Sequence, residues 1–542
     1  MNEIAPLPVS LVLVAVRSLP LAEGELPACL SALLDEARTF REGLAHRDIW
    51  WCATVQDGSD AQLLAALTDA CEAAGLPQPH ARAFASGSRD SAALLRELSE
   101  ALSESLAGCV FFYHEEDGQR ALWLLGRGTD ARRARALAAL TPFTVDGLFC
   151  TELTETGQVW RMGACRPDWR ESLLAAGRAP FAAGADVRET ALRELAQRGV
   201  WLGAGQAEPL AVMCCGQGSV WPGMGRELYD QFPAARAAMD RLAAVADWDV
   251  LSLLDERDEE KIGLTRWQQP YLFLLEYAQW SHLASLGLRP SLMCGHSLGE
   301  LIALCLAGVY APETAWYILD TRAQHMSELE ARATRETGMM AVHAEAPLIE
   351  EARRLWPALY VSNYNTTKQY IVSGPRDMLM EARKHFRKQR LPAIMLNVSL
   401  AFHHPGMRVL RDMSLRRLNA LAMQPPQLPM LSCVTTGFYP HAQRDICEYI
   451  ADLDENAVRW VECVQQMWTR DGIRHFVELG PQDTLCGLVA DIEPRSLCLS
   501  ASRKGHEAEG LRRTCAQLHA LGHLPAAGLK AKSVPYSSGA VK

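Results

Sequence analysis

One short stretch constrains this chain more than any other. Residues 291–294 are apolar, Gly295-His296-Ser297-Leu298-Gly299 closes them, and an apolar helical pattern over 300–307 follows without a gap. A strand that turns straight into a helix through a serine flanked by glycines forces that serine into a strained backbone conformation. The glycines are needed because a Cβ has no room. Such a turn lifts the hydroxyl off the sheet edge. The helix aims its first N–H groups at the same point, Leu298 among them, where a developing oxyanion would be held. The expected fold is therefore α/β, with a hydrolase-like parallel-sheet core.

A serine hydroxyl is a weak nucleophile and needs a base. Downstream lies Ala401-Phe402-His403-His404-Pro405-Gly406-Met407, which offers two adjacent histidines. An imidazole takes and returns a proton near neutral pH. Chain position alone does not choose between His403 and His404.

The 542 residues exceed one ordinary domain. Residues 1–205 alternate apolar runs (9–16, 48–55, 109–113) with helical patterns (26–43, 59–74, 90–106). They predict an N-terminal α/β or α+β domain whose Ala/Gly/Arg-rich end, 179–205 with a helix near 186–198, reads as a linker. Residues 206–500 form the second expected domain. It opens with an apolar run, 210–215, meeting Gly216-Gln217-Gly218, and carries helices at about 226–244 and 269–286. Inside it, 338–399 reads strand, helix, strand, strand, helix, strand (339–343, 346–355, 359–363, 369–373, 376–389, 393–398). That is the order of a ferredoxin-like subdomain. Residues 501–542 predict a C-terminal helix and, beyond 525, a disordered polar tail.

Composition excludes several classes. A net charge of −10 argues against a nucleic-acid face. The 16 cysteines contain no CxxC pair, so neither a zinc site nor a thioredoxin-like motif is expected. No apolar run approaches the roughly 20 residues of a membrane span, and the first residues lack the basic start of a signal peptide. A soluble, reduced, cytoplasmic protein is expected. His114-Glu115-Glu116-Asp117 reads as a solvated loop rather than a metal cluster. The glycines of 216–225 lack the Gly-Lys-Ser/Thr ending of a phosphate-binding loop.

Several motifs in order resemble the malonyl-CoA:acyl carrier protein transacylases and the acyltransferase domains of polyketide synthases, over about 209–500. They are Gly216-Gln217-Gly218-Ser219 with Gly223-Met224-Gly225, the serine motif through Glu300, Arg322 to Met326, and Asn365 with Val372-Ser373-Gly374. Ala401-Phe402-His403, Val458-Arg459-Trp460 and Val477-Glu478-Leu479-Gly480-Pro481 complete the set. The resemblance implies Ser297 as nucleophile and His403 as base, oriented by backbone carbonyls, with the N–H groups of Gln217 and Leu298 as oxyanion hole. His296 would flank the nucleophile and Asn365 would line the site. Arg322 would bind the carboxylate of a malonyl group, because a guanidinium fork matches a carboxylate. Phe402 would fill the space a methyl branch needs, and Arg459 would help hold coenzyme A at the cleft mouth. No metal or bound cofactor is implied. The donor would be malonyl-CoA and the acceptor a phosphopantetheinylated acyl carrier protein. Residues 1–205 would serve as a docking platform for synthase partners or as a stabilising cap. Leu400, His404, Ala323 and Val220 depart from the family pattern and leave the acyl group less defined than the reaction. A carrier-to-carrier transacylase and a thioester hydrolase are the alternatives.

Overall fold

The computed structural model describes backbone in strands between 11 and 160 and isolated helical positions between 65 and 72. Side chains are described over 161–165, 192–203, 207–333, 335–398 and 400–524. The helices expected at 26–43 and 90–106, and the tail beyond 524, lie outside the described residues. The chain forms two compact units, residues 1–206 with 515–542, and 207–514.

The first unit holds two sheets. β1 (Leu11–Ser18), β2 (Ile49–Ala53), β3 (Pro79–Ala81), β4 (Cys109–Glu116) and β5 (Gln119–Arg127) are ordered β1-β5-β4-β2-β3. β2 runs parallel to both neighbours and β5 antiparallel to both of its own. β6 (Ala138–Val145), β7 (Leu148–Glu155), β8 (Gln158–Ala164) and β9 (Val200–Gly203) form an antiparallel sheet in chain order. Three expectations are corrected here. His114, Glu115 and Glu116 sit in β4, not in a loop. Residues 200–203 of the supposed linker are a strand paired with β8. Residues 515–524 of the expected C-terminal piece belong with the first unit. The carbonyl of Ala516 lies so close to Gly163 of β8 that a Cβ there would meet it at 2.2 Å.

In the second unit a five-stranded sheet runs β16 (Met430–Leu431), β11 (Leu292–Gly295), β10 (Leu210–Cys214), β17 (His475–Leu479), β18 (Leu497–Ser500). Every neighbouring pair is parallel. β10 and β17 are buried along their whole length. A strand with both faces covered needs a continuous apolar run, not an alternating one, and Leu-Ala-Val-Met-Cys supplies it. Each fully buried Leu, Val or Met side chain contributes about 1.5–3 kcal/mol. Three helices position the site: α1 (Thr265–Ser285), α2 (Leu298–Leu306) and α3 (Pro312–Arg332).

Between α3 and β16 the chain builds β12 (Thr337–His343), α4 (Ala346–Leu355), β13 (Tyr360–Tyr364), β14 (Gln369–Pro375), α5 (Arg376–Lys388) and β15 (Ala393–Met395). Their sheet is antiparallel with order β13-β14-β12-β15. Met340, Val342, Val361 and Val372 of the strands pack with Ile349 of α4 and with Leu379 and Phe386 of α5.

Candidate active site

The register of β10 on β11 pairs Cys214 with Gly295. Both strands therefore end at the same level, and the turns that leave them stand side by side. Residue 297 is the pivot of the second turn, with φ 57° and ψ −120°. The two flanking glycines are sterically required. A Cβ on Gly295 would lie 2.1 Å from the Gly299 carbonyl carbon, and one on Gly299 would lie 2.1 Å from the Cys214 carbonyl oxygen. The first turn is also packed tightly, though less so: a Cβ on Gly216 would come within 2.8 Å of the His296 carbonyl.

His403 completes the arrangement from 106 residues away. Its Nε2 lies 2.7 Å from Ser297 Oγ. Its Nδ1 lies 2.7 Å from the carbonyl of Leu453 and 3.1 Å from that of Asn456. A carbonyl only accepts, so Nδ1 carries the proton and the neutral ring presents Nε2 as acceptor to the serine hydroxyl. Burial pushes the His403 pKa down to about 4; the Leu453 carbonyl opposes this, and the charge of Arg322 adds to it. The ring is therefore neutral at physiological pH and able to take a proton. Four described non-glycine residues have positive φ: Ser297, Arg390, His403 and Thr436. Two of the four are this pair, and such backbone costs about 1–3 kcal/mol each where it persists.

Around the pair, His296 Nε2 donates to Asn365 Oδ1 at 2.9 Å, and Asn365 Nδ2 donates to Gln369 Oε1 at 3.2 Å. The connection between β13 and β14 that carries Asn365 is thereby tied to the residue beside Ser297. Burial also lowers the His296 pKa. Leu298 opens α2 and is fully buried; the first N–H groups of a helix have no acceptor within it. Among the described residues, no acceptor meets the backbone N–H of Gln217, and its side-chain Nε2 is buried without a partner. Its neighbour Gly218 donates to Gln268 Oε1 at 3.0 Å, which pins the turn to α1. Phe402 packs with Met326, Met339, Ile371 and Leu400 in a buried cluster.

Arg322 is buried in α3, not on the surface. Its Nε and Nη2 donate to Asp454 Oδ1 at 3.1 and 2.7 Å, and its Nη1 donates to Gln269 Oε1 at 2.8 Å. The half-exposed guanidinium of Arg459 pairs with Glu462, one turn along α6 (Trp460–Thr469). His404 stands apart from Ser297, accepting from the Gly406 N–H at 2.9 Å. Sequence reasoning missed Asp454, Gln269 and the two carbonyls at 453 and 456. For Gln269 there was a signal. With Glu276 and Gln279 it is one of three polar side chains of α1 that are fully buried. Among the described residues, no cluster of His, Cys, Asp or Glu is placed to hold a metal ion, and no helix is long and apolar enough to cross a membrane.

A family profile described as the acyl transferase domain matches residues 212–496. The chain belongs to this family. The match takes in both glycine turns, Ser297, His403 and Arg322. Among its relatives, the acyltransferase is 29% identical to the malonyl CoA-acyl carrier protein transacylase of Bacillus subtilis over 299 residues, 54% of this chain and 93% of that protein. It is 31% identical over 296 residues to the phenolphthiocerol synthesis polyketide synthase of Mycobacterium marinum, 53% of this chain but only 14% of the synthase. Among solved structures, it matches the acyltransferase domain from the second module of the salinomycin polyketide synthase with a TM-score of 0.55 and 29% identity. That match covers 64% of this chain and 85% of the other. Residues 1–211 lie outside the family match.

Proposed function

We propose that this acyltransferase moves a malonyl-type acyl group from coenzyme A to the phosphopantetheine thiol of an acyl carrier protein, through a Ser297 acyl-enzyme. The observation that carries the reading is the 2.7 Å contact of Ser297 Oγ with His403 Nε2, whose Nδ1 is tied to a carbonyl. His403 takes the hydroxyl proton as Ser297 attacks the thioester carbonyl. The oxyanion forms against the N–H groups of Gln217 and Leu298. As the intermediate collapses, the imidazolium returns the proton to the departing thiolate. The carrier thiol then enters, gives its proton to His403, attacks the acyl-serine and regenerates the hydroxyl. No carboxylate is needed behind His403, because the Leu453 carbonyl orients the ring and fixes its tautomer.

Arg322 supplies the positive charge for the malonyl carboxylate, and Phe402 limits branching beside it. Asn365 and His296 keep the inserted sheet registered on the nucleophile turn. Arg459, paired with Glu462, is at most a peripheral contact for coenzyme A. The inserted sheet, with its strand order β13-β14-β12-β15, is read as a ferredoxin-like subdomain of a domain spanning about 206–500. On this reading the activity lies in the cytoplasm, on carrier proteins of polyketide or related biosynthesis, with residues 1–205 as a platform for synthase partners or a stabilising cap.

Intact-protein mass spectrometry after separate exposure to malonyl-CoA, methylmalonyl-CoA and acetyl-CoA tests the reading. A malonyl adduct on the wild type that is absent from Ser297→Ala is expected. A folded wild type that takes no acyl group from any of the three would overturn it in favour of carrier-bound donors or hydrolysis.

A further inference from the structure

The guanidinium assigned to the substrate carboxylate already has a carboxylate. A guanidinium offers five N–H donors. Three are taken: Nε and one on Nη2 by Asp454 Oδ1, and one on Nη1 by Gln269. Two remain, one on each terminal nitrogen. Arg322 and Asp454 side chains are only 9% and 4% exposed, so solvent screens the pair weakly. The pair also lies within electrostatic reach of the His403 ring, where Arg322 and Asp454 act in opposite directions. Asp454 is fixed by the backbone that serves His403, since Leu453 and Asn456 on either side of it provide the two carbonyls.

We infer that Asp454 is a specificity-determining residue of the acyl pocket: by holding Arg322 in a neutral ion pair, it weakens the preference for a carboxylated acyl group over an uncharged one. The inference rests on the acyl-transfer reading above. An incoming malonyl carboxylate that reaches the two remaining N–H groups brings a second negative charge beside Asp454 in a desolvated site. The trio of one guanidinium and two carboxylates then carries a net negative charge. Like charges at such separations disfavour each other. An acetyl or other uncharged acyl group meets no such repulsion, and the neutral pair leaves it no unpaired cation to bury. The penalty on malonyl is partial, because both partners also line a cavity of about 40 Å³ beside Ile318, His325 and Arg417. That space allows the pair to shift.

Asp454→Asn keeps the shape and a hydrogen-bond acceptor but removes the charge; Asp454→Leu removes both. Single-turnover acylation of Ser297 by malonyl-CoA and acetyl-CoA, followed by intact mass, gives kcat/KM for each. In Asp454→Asn the malonyl-to-acetyl ratio is expected to rise about 10-fold or more, mainly through a lower malonyl KM; one unit charge removed at such a site is commonly worth a tenfold change or more. Asp454→Leu should move the ratio the same way, and adding Arg322→Ala to either variant should abolish the gain. A ratio that is unchanged or falls in a variant whose melting temperature and far-UV circular dichroism match the wild type would overturn the inference.

A second readout needs no acyl donor. Sodium malonate is titrated against the labelling of Ser297 by a fluorophosphonate. Protection should need about 10-fold less malonate in Asp454→Asn than in the wild type. Equal protection in both, or none in either, refutes the role of Asp454. If neither thioester acylates the wild type while protection tightens in the variant, the proposed donors fail and the effect of the Asp454 charge on carboxylate binding stands. If both thioesters react and the ratio does not move, the reverse holds.

Discussion

Lowering the pH tests the state of His403 directly. The ring is fully buried against Ser297 on one side and two carbonyls on the other, and its pKa is pushed down to about 4. An ordinary histidine titrates near 6.5. At pH 5 such a histidine would be neutral in only about 3% of molecules, whereas a ring with a pKa of about 4 would be neutral in about 90%. The difference, roughly 3 kcal/mol, is set first by burial that excludes water from the imidazolium, with the Leu453 carbonyl opposing it and the charge of Arg322 adding to it. The assay is the rate of Ser297 acylation at limiting thioester, in rapid-quench single turnovers from pH 4 to 8. That rate reports the free enzyme. It should stay nearly flat down to about pH 5 and halve near pH 4, with circular dichroism confirming the fold at each point. The same shift has a stability consequence. The unfolded chain binds a proton on this histidine between pH 6.5 and 4 and the folded chain does not. The contribution is therefore complete above about 6.5 and is lost as the pH falls through that window. An acid limb at pH 6.5 in a folded protein would refute the argument that burial sets the base.

Two further perturbations follow from the packing. Gly299→Ala places a methyl 2.1 Å from the Cys214 carbonyl. The gain in helix propensity, about 1 kcal/mol, is outweighed by strain that rigid backbone on both sides cannot relieve. A loss of about 2 kcal/mol or more is expected, read as a melting temperature lower by at least about 5 °C; a wild-type melting temperature would contradict it. Glu507 is fully buried and faces the Gly225 N–H at 2.8 and 2.7 Å with its two oxygens. Burial raises its pKa to about 8, so its neutral form favours the fold. That stability is complete below about pH 4.5 and is lost as the pH rises through 8. Glu507→Gln should flatten the decline of the urea midpoint between those limits, and a decline as steep as the wild type's would sink the assignment.

Some of the architecture was legible because its signals are local. The run over 210–215, the glycine–serine turn and the helix after it each depend on neighbours a few residues away, and those neighbours set the backbone. The alternation of strands and helices over 338–399 was legible for the same reason: each amphipathic period is complete within one element. Other local signals went unread. Asp117-Gly118 and Asp146-Gly147 stand in the sequence between strands that pair antiparallel, the dipeptide expected between hairpin strands. Reading them would have kept His114–Glu116 out of a loop. The strand at 200–203 was hidden because its partner, β8, lies 36 or more residues earlier, and its four residues carry no period of their own.

By itself the sequence determined which groups are available: a serine on a strained turn, two adjacent histidines, an arginine on a helix. The ordered motifs paired Ser297 with His403 by resemblance, but the chemistry and spacing of the residues did not determine which of them meet. His403 and not His404 faces Ser297 because the chain from 400 to 407 and the carbonyls at 453 and 456 converge there. Carbonyls have no sequence signature, since every residue has one. Arg322 and Asp454 are 132 residues apart, and neither predicts the other. Their pairing is decided by how α3 packs beside the segment after residue 452, where two buried charges that lose their water must find each other.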